Sequence, residues 1–144
     1  MATFGKSVWI KCPQQEVFDF VSDPAKNVEW QSIAQSAEWT SEGPVGVGSA
    51  LRSVDRFLGR KIESTAEVTT WDPPNRVTFK SVSGPFAFEI AFELESKENG
   101  TQLTMNVTAE FRGFFKVAEG LVARQAQKQI DTDLEALKLV LEAG

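Results

Sequence analysis

The chain has 144 residues, a length that fits one domain with a sizeable hydrophobic core and is too short for two. Its hydrophobic fraction of 42% and charged fraction of 24% exclude intrinsic disorder, and a formal net charge of −5 disfavours nucleic acid and anionic membrane surfaces as partners. The absence of histidine and tyrosine excludes serine–histidine and cysteine–histidine nucleophiles and removes the commonest transition-metal ligand.

The sequence also indicates the compartment of the protein and whether it holds a metal or cofactor. It contains no apolar stretch of signal-peptide or bilayer-spanning length, so we expect a cytoplasmic protein without a membrane span. The lone Cys12 allows neither an internal disulfide nor a cysteine-rich metal site. We therefore expect no metal and no cofactor, while monomer and homodimer both stay open.

The first third of the chain predicts a strand followed by two short helices. Residues 3–10 have the composition of a strand, and Pro13 stands where a proline can begin a helix without losing a hydrogen bond. Asp23 before Pro24 repeats that signal, with an acidic N-cap, and predicts a second short helix over residues 25–30.

The middle of the chain predicts six further strands. The first covers residues 33–40 and is followed by a glycine-rich connector. Apolar and polar residues alternate along residues 86–95 and 102–111, which is typical of an antiparallel sheet with one dry face. Turns divide residues 49–111 into five strands, and they fall at Gly59 and at residues 72–75, 83–85 and 98–100, with Asn99 and Gly100 as the last hairpin turn.

The end of the chain predicts one long helix. From Phe114 to Leu141 apolar residues recur every three or four positions, so the helix can close the dry side of the sheet. Gly120 within it costs about 1 kcal/mol relative to alanine, which a close approach to the sheet or a bend at a ligand entrance would explain. The predicted fold is α+β, a strongly bent seven-stranded antiparallel sheet around the C-terminal helix, with two short helices after the first strand.

Several short motifs occur along this order of elements: Pro13 with Val17 and Phe18, and residues 27–30, 46–48, 71–76, 84–86 and 100–104. Together they resemble the START/Bet v 1-like (SRPBCC) superfamily with its helix-grip fold, and within it the polyketide cyclase/dehydrase-like branch. The resemblance implies a single ligand-binding domain over residues 1–144. It also implies a deep apolar cavity between sheet and helix that holds lipids, polyketides or hormones.

The residues that project to the dry face are interpreted either as core or as the wall of such a cavity. Trp30 and Trp39 are candidates for its mouth, with ordinary packing as the alternative. The other candidate ligand-binding residues are Ile62, Ser64, Ala66, Val68, Phe79, Phe88, Phe92, Met105 and Val107 on the strands and Phe115, Ala118 and Val122 near the terminal helix.

The third strand carries charged residues on both of its faces. Arg52 and Arg56 share one face, and Asp55 lies on the other. We expect a bulge that sends all three charges to solvent, because bulges are common in strongly bent sheets. Without one, either Arg52 binds an anionic ligand head or Asp55 is an inward acid, because a buried charge needs a partner. Arg52 is the preferred candidate, since a guanidinium binds a carboxylate at two points.

Binding is favoured over catalysis. The aromatase/cyclase relatives are expected to have a cationic residue near the end of the strand where this chain has Val68, and no catalytic residue is assigned. The leading hypothesis is a carrier or sensor of a hydrophobic small molecule such as a lipid or polyketide. The alternatives are a cyclase/dehydratase-like enzyme that uses Asp55 or Arg52 with Ser64, and an interaction module like the chaperone-activating members of the superfamily.

Overall fold

Seven antiparallel strands form one curled sheet, as the alternating sequence pattern predicts. The computed structural model describes residues 2–144, apart from the side chain of Phe114, so the predicted core position of Phe114 lies outside the described residues. The strands are β1 (Ala2–Ile10), β2 (Ala34–Trp39), β3 (Ala50–Phe57), β4 (Arg60–Asp72), β5 (Arg76–Ser83), β6 (Phe86–Lys97) and β7 (Gly100–Phe111). Their order in the sheet is β1-β7-β6-β5-β4-β3-β2.

Two short helices connect β1 to β2, as predicted. Helix α1 (Gln14–Val21) is followed by a 3-10 helix (Pro24–Glu29). The side chain of Asp23 accepts a hydrogen bond from the backbone N–H of Ala25 at 3.0 Å, which confirms its role as the N-cap. The second helix is a 3-10 helix rather than an α-helix and begins at Pro24, one residue earlier than predicted.

The terminal helix is divided in two, which corrects the prediction of one continuous helix. A single turn, α2 (Phe114–Val117), precedes the long helix α3 (Glu119–Ala143). Gly120 therefore lies in the first turn of α3 instead of a helix interior. Apart from its neighbours in the same helix, no atom of the described residues lies within 4 Å of the position that a Cβ atom would take there. The predicted close approach of Gly120 to the sheet is wrong.

The last hairpin turn lies one residue earlier than the sequence predicts. Glu98 and Asn99 have φ angles of 52° and 61°, the left-handed values of a tight hairpin turn, and Gly100 already pairs with Lys97 as the first residue of β7. A Cβ atom on Gly100 would lie 2.5 Å from the carbonyl oxygen of Ile10. Glycine is therefore required there because the end of β1 approaches the β7 backbone closely.

The core is packed tightly at one end of the sheet. Side chains from α1, from β1 and β7, and from the second half of α3 meet there and exclude solvent almost completely. These residues are Phe18, Ile10, Leu103, Leu134 and Leu137, and none of them borders the cavity described below. The empty space of the fold therefore lies toward the first half of α3.

Candidate ligand-binding cavity

A cavity of about 240 Å³ lies between the inner face of the sheet and the first half of α3. Most of its wall is apolar, because the inward-facing positions of β4 to β7 carry the large residues of the alternating pattern. The predicted ligand-binding residues that border it are Ile62, Ser64, Ala66, Phe79, Phe88, Phe92, Met105, Val107 and Val122. Their part in binding stays a prediction.

The two tryptophans predicted at the mouth do not line this cavity. Trp30 is only 3% exposed, and its ring packs edge-on against Phe92 at 6.1 Å, so it lies behind the wall. Its indole Nε1 is buried and has no hydrogen-bond partner among the described residues. Trp39 is half-buried on β2, opposite Leu51. Both tryptophan side chains pack against the core, and their part in ligand binding stays a prediction.

Three other predicted residues also lie outside the wall. Phe115 is buried and packs against Phe86 at 4.6 Å and Phe57 at 6.3 Å between ring centroids. Because Phe57 and Phe86 border the cavity, Phe115 supports the wall from behind. Val68 is fully buried in the core, and Ala118 is the residue before α3.

The third strand is regular, and its register corrects the preference for Arg52. Strand β3 pairs with β4 without interruption from Ala50 to Phe57, and the irregularity next to it falls on β2 between Ala34 and Ser36. Arg52 points away from the cavity. On the outer face of the sheet its Nη2 lies 3.2 Å from Oε1 of Glu63. The expected bulge in β3 is therefore absent, and Arg52 is not in position to meet a ligand inside the cavity.

Asp55 is the charged residue of β3 that borders the cavity. Strand alternation places it on the same face as Ser53, and Ser53 pairs with Ser64 of β4, whose hydroxyl oxygen lies 3.1 Å from that of Ser53. Within residues 2–144 no hydrogen bond or ion pair to the Asp55 carboxylate occurs. Burial raises the pKa of Asp55 from 3.8 to about 6, because the charged form loses hydration in the cavity wall.

A second polar group of the cavity was missed by the sequence analysis. Asp133 of α3 is 7% exposed, and its Oδ1 accepts a hydrogen bond from the backbone N–H of Ser32 at 3.0 Å. Burial raises the pKa of Asp133, while the hydrogen bonds from Ser32 act in the opposite direction. Gln129 borders the cavity beside it and is bonded to the Ser32 hydroxyl.

The sequence contains a pattern that indicates a buried carboxylate at Asp133. Its position continues the helical spacing of Ala126 and Ile130 and precedes Leu137 by four residues, so it interrupts the apolar stripe of α3 with a carboxylate. A charged residue on the buried stripe of an amphipathic helix needs a partner, and here Ser32 provides it. The polar residues Asn27 and Gln31 border the same cavity from the 3-10 helix and the loop after it.

The charge of the cavity wall has one sign. Asp55 and Asp133 are its charged residues in the described part of the chain, and no lysine or arginine borders it there.

Among residues 2–144, no three acidic or cysteine side chains lie together in a way that could hold a metal ion. Separately, none of the described helices combines the length and the apolar composition needed to cross a bilayer.

Known proteins are similar to this chain in sequence or in structure over nearly its whole length. The uncharacterised protein Rv1546 of Mycobacterium tuberculosis is 26% identical over 138 residues, covering 94% of this chain and 95% of the relative. The crystal structure of TTHA0849 from Thermus thermophilus has a TM-score of 0.84 at 22% identity, with 98% of this chain and 97% of that chain covered. A START superfamily protein from Mycobacterium smegmatis has a TM-score of 0.83 at 17% identity, with 99% of each chain covered.

The two solved structures show the fold, a curled antiparallel sheet that grips a long C-terminal helix, as the resemblance in the sequence implied. A family model described as "polyketide cyclase / dehydrase and lipid transport" matches residues 1–142. On that match, and with the helix-grip architecture and its internal cavity, the chain belongs to the polyketide cyclase/dehydrase and lipid transport family of the START/SRPBCC superfamily.

Proposed function

We propose that this protein binds a hydrophobic small molecule in its internal cavity and acts as a carrier or sensor. The observation that carries the proposal is the cavity of about 240 Å³ with a mostly apolar wall between sheet and helix. An apolar cavity of roughly 150 Å³ is large enough to bind benzene, so this one has room for a larger molecule. A ligand would restore the dispersion contacts that the wall atoms lack.

The energetics of such binding need no catalytic group. Burial of about 300 Å² of apolar ligand surface at about 25 cal/mol per Å² contributes about 7 kcal/mol before the cost of ordering the ligand. Phe79, Phe88 and Phe92 supply large, rigid contact surfaces for this purpose. The lipid-transport part of the family description agrees with this role.

An uncharged apolar dye tests the proposal. We expect N-phenyl-1-naphthylamine to bind saturably, with a rise in its fluorescence. Ala126 borders the cavity from α3, so Ala126→Phe would place a phenyl group in it and reduce dye affinity at least about tenfold. Ala136→Phe is the matched control, because Ala136 lies on the same helix and does not border the cavity.

The outcomes separate clearly. Binding that is lost in Ala126→Phe and kept in Ala136→Phe supports an internal ligand site, provided that circular dichroism shows both variants folded. Equal dye binding by Ala126→Phe and the wild type would place the dye elsewhere and contradict the proposal. Native mass spectrometry of the purified protein then identifies any small molecule that it retains.

The position of Asp55 favours a second candidate function, a cyclase/dehydratase-like enzyme. General acid–base catalysis is most efficient when the pKa lies near the working pH, and burial brings the pKa of Asp55 to about 6. Arg52, the other residue considered for this role, points away from the cavity. Turnover of a poly-β-ketone by the wild type that is lost in Asp55→Asn would favour this function over simple binding.

The third hypothesis, an interaction module, would be favoured by an interior filled with the protein's own side chains together with a contiguous apolar surface patch. The cavity weighs against it, because a module that acts only through its surface gains nothing from empty space in its core.

A further inference from the structure

The polar groups at the β3–β4 side of the cavity form a small acceptor site in an apolar wall. Ser53 and Ser64 face each other across the two strands with hydroxyl oxygens 3.1 Å apart, and Asp55 is two residues along the same face of β3. All three residues border the cavity, and Ser64 is only 6% exposed. A ligand in the cavity would therefore meet two hydroxyls and a carboxylate together.

The two carboxylates of the cavity differ in what holds them. Asp133 accepts a hydrogen bond from the backbone N–H of Ser32, whereas Asp55 has no bonded partner in the described part of the chain. A carboxylate that has lost hydration without gaining a partner is costly, and the raised pKa of Asp55 reflects that cost. An incoming cation would supply the missing partner.

Within residues 2–144 the cavity wall offers no cationic side chain to an anionic ligand. Its charged residues within residues 2–144 are Asp55 and Asp133. The two arginines of β3 lie on the outer face, where Arg52 is 3.2 Å from Glu63 and Arg56 donates a hydrogen bond to the backbone carbonyl of Gly59. A fatty acid would bring a third carboxylate into a low-dielectric space that already holds two. This reverses the sequence-based expectation that Arg52 would bind an anionic head.

We infer that the ligand has an apolar body and a basic amine, and that the protonated amine binds the Asp55 carboxylate with the hydroxyls of Ser53 and Ser64 as further acceptors. The apolar body would lie against the phenylalanine side chains of the wall. This inference rests on the proposed binding function and adds the charge and class of the ligand to it. Buried ion pairs of this kind contribute to selectivity because the wrong charge leaves Asp55 unpaired.

Three probes with the same apolar chain and different heads test the inference: decylamine, decanol and decanoate. Isothermal titration calorimetry is carried out at pH 8, where Asp55 is ionised and decylamine is protonated. We expect decylamine to bind the wild type at least about tenfold more tightly than decanol, and decanoate to bind most weakly. This comparison uses the wild-type protein alone, so it does not depend on whether any variant folds.

Two charge-removing variants then assign the selectivity to its residue. Asp55→Asn should lower decylamine affinity at least about tenfold and leave decanol affinity within about threefold. Glu63→Gln is the matched control, because it removes a carboxylate from the outer face of the neighbouring strand. It should change neither affinity by more than about threefold, since exposed charges are screened by solvent.

The failures of the two proposals are distinguishable. If decanol binds and decanoate binds as tightly as decylamine, or if Asp55→Asn keeps the preference for decylamine, the amine inference is overturned while the binding function stands. If none of the three probes binds, and the uncharged dye does not bind either, the proposed binding function itself is overturned.

Discussion

The hydroxyl oxygens of Ser53 and Ser64 lie 3.1 Å apart across β3 and β4, on the face of the sheet that borders the cavity. One hydroxyl donates a hydrogen bond to the other within a wall that is otherwise mostly apolar. Buried polar groups are stable in such surroundings only when they are paired, so the two serines form one energetic unit.

That pairing predicts coupling between the two positions. Ser64→Ala should lower the free energy of unfolding by about 1 kcal/mol, because the Ser53 hydroxyl loses its partner, and the double variant with Ser53→Ala should be little worse. Urea unfolding of both single variants and the double variant gives the coupling energy, which we expect at about 0.5–1.5 kcal/mol. Strictly additive effects would show that the hydroxyls do not bond.

The burial of Asp55 predicts a dependence of stability on pH. Its pKa is about 6 in the folded protein and 3.8 ordinarily, so the native state holds the proton more tightly. The favourable contribution of the protonated form is complete below about pH 4 and is lost as the pH rises through 6. Asp55→Asn should therefore be more stable than the wild type by about 1–3 kcal/mol at pH 8, and the difference should vanish near pH 4.

Urea unfolding of the wild type and Asp55→Asn between pH 4 and pH 8 measures this difference. Asp133 is present in both proteins, so its own titration largely cancels in the comparison. A stability difference that stays constant over this range would mean that the folded-state pKa of Asp55 is not raised.

The buried indole of Trp30 predicts an unusual pair of substitutions. Trp30→Phe removes an Nε1–H that has no partner among the described residues, and the gain offsets the lost packing, so we expect a change in unfolding free energy below about 1 kcal/mol. Trp30→Ala removes the whole aromatic ring and leaves a cavity in the core, so it should cost about 3–5 kcal/mol. Chemical denaturation compares the two; equal losses would mean that the indole N–H is hydrogen-bonded after all.

The close approach at Gly100 predicts a large effect from one methyl group. Gly100→Ala would place Cβ 2.5 Å from the carbonyl oxygen of Ile10, a backbone atom that moves only with β1, and should cost about 1–3 kcal/mol. Gly46→Ala is the matched control, because no atom of the described residues beyond its chain neighbours lies within 4 Å of its Cβ position, and it should be nearly neutral. Thermal unfolding measures both. Similar melting temperatures for the two variants would contradict the account of Gly100.

Where a strand has one apolar face and one polar face, the sequence alone determined the structure. The alternation along β6 and β7 predicts which side chains point inward, because only one of the two faces can be buried without leaving polar groups unpaired. The Asp23–Pro24 pair predicts the start of the 3-10 helix for an equally local reason, since its hydrogen bond to Ala25 spans two residues.

Only the tertiary structure decided the chemistry of the cavity. On β3 both faces carry charge, so alternation states that Arg52 and Asp55 point in opposite directions without stating which one points inward. The uninterrupted pairing of β3 with β4 settles that choice, and it depends on residues distant in the sequence. Asp133 depends on contacts of the same range, because its partner Ser32 is 101 residues away. Local patterns reflect the burial of whole faces, whereas the partner of a single buried charge is set by long-range packing.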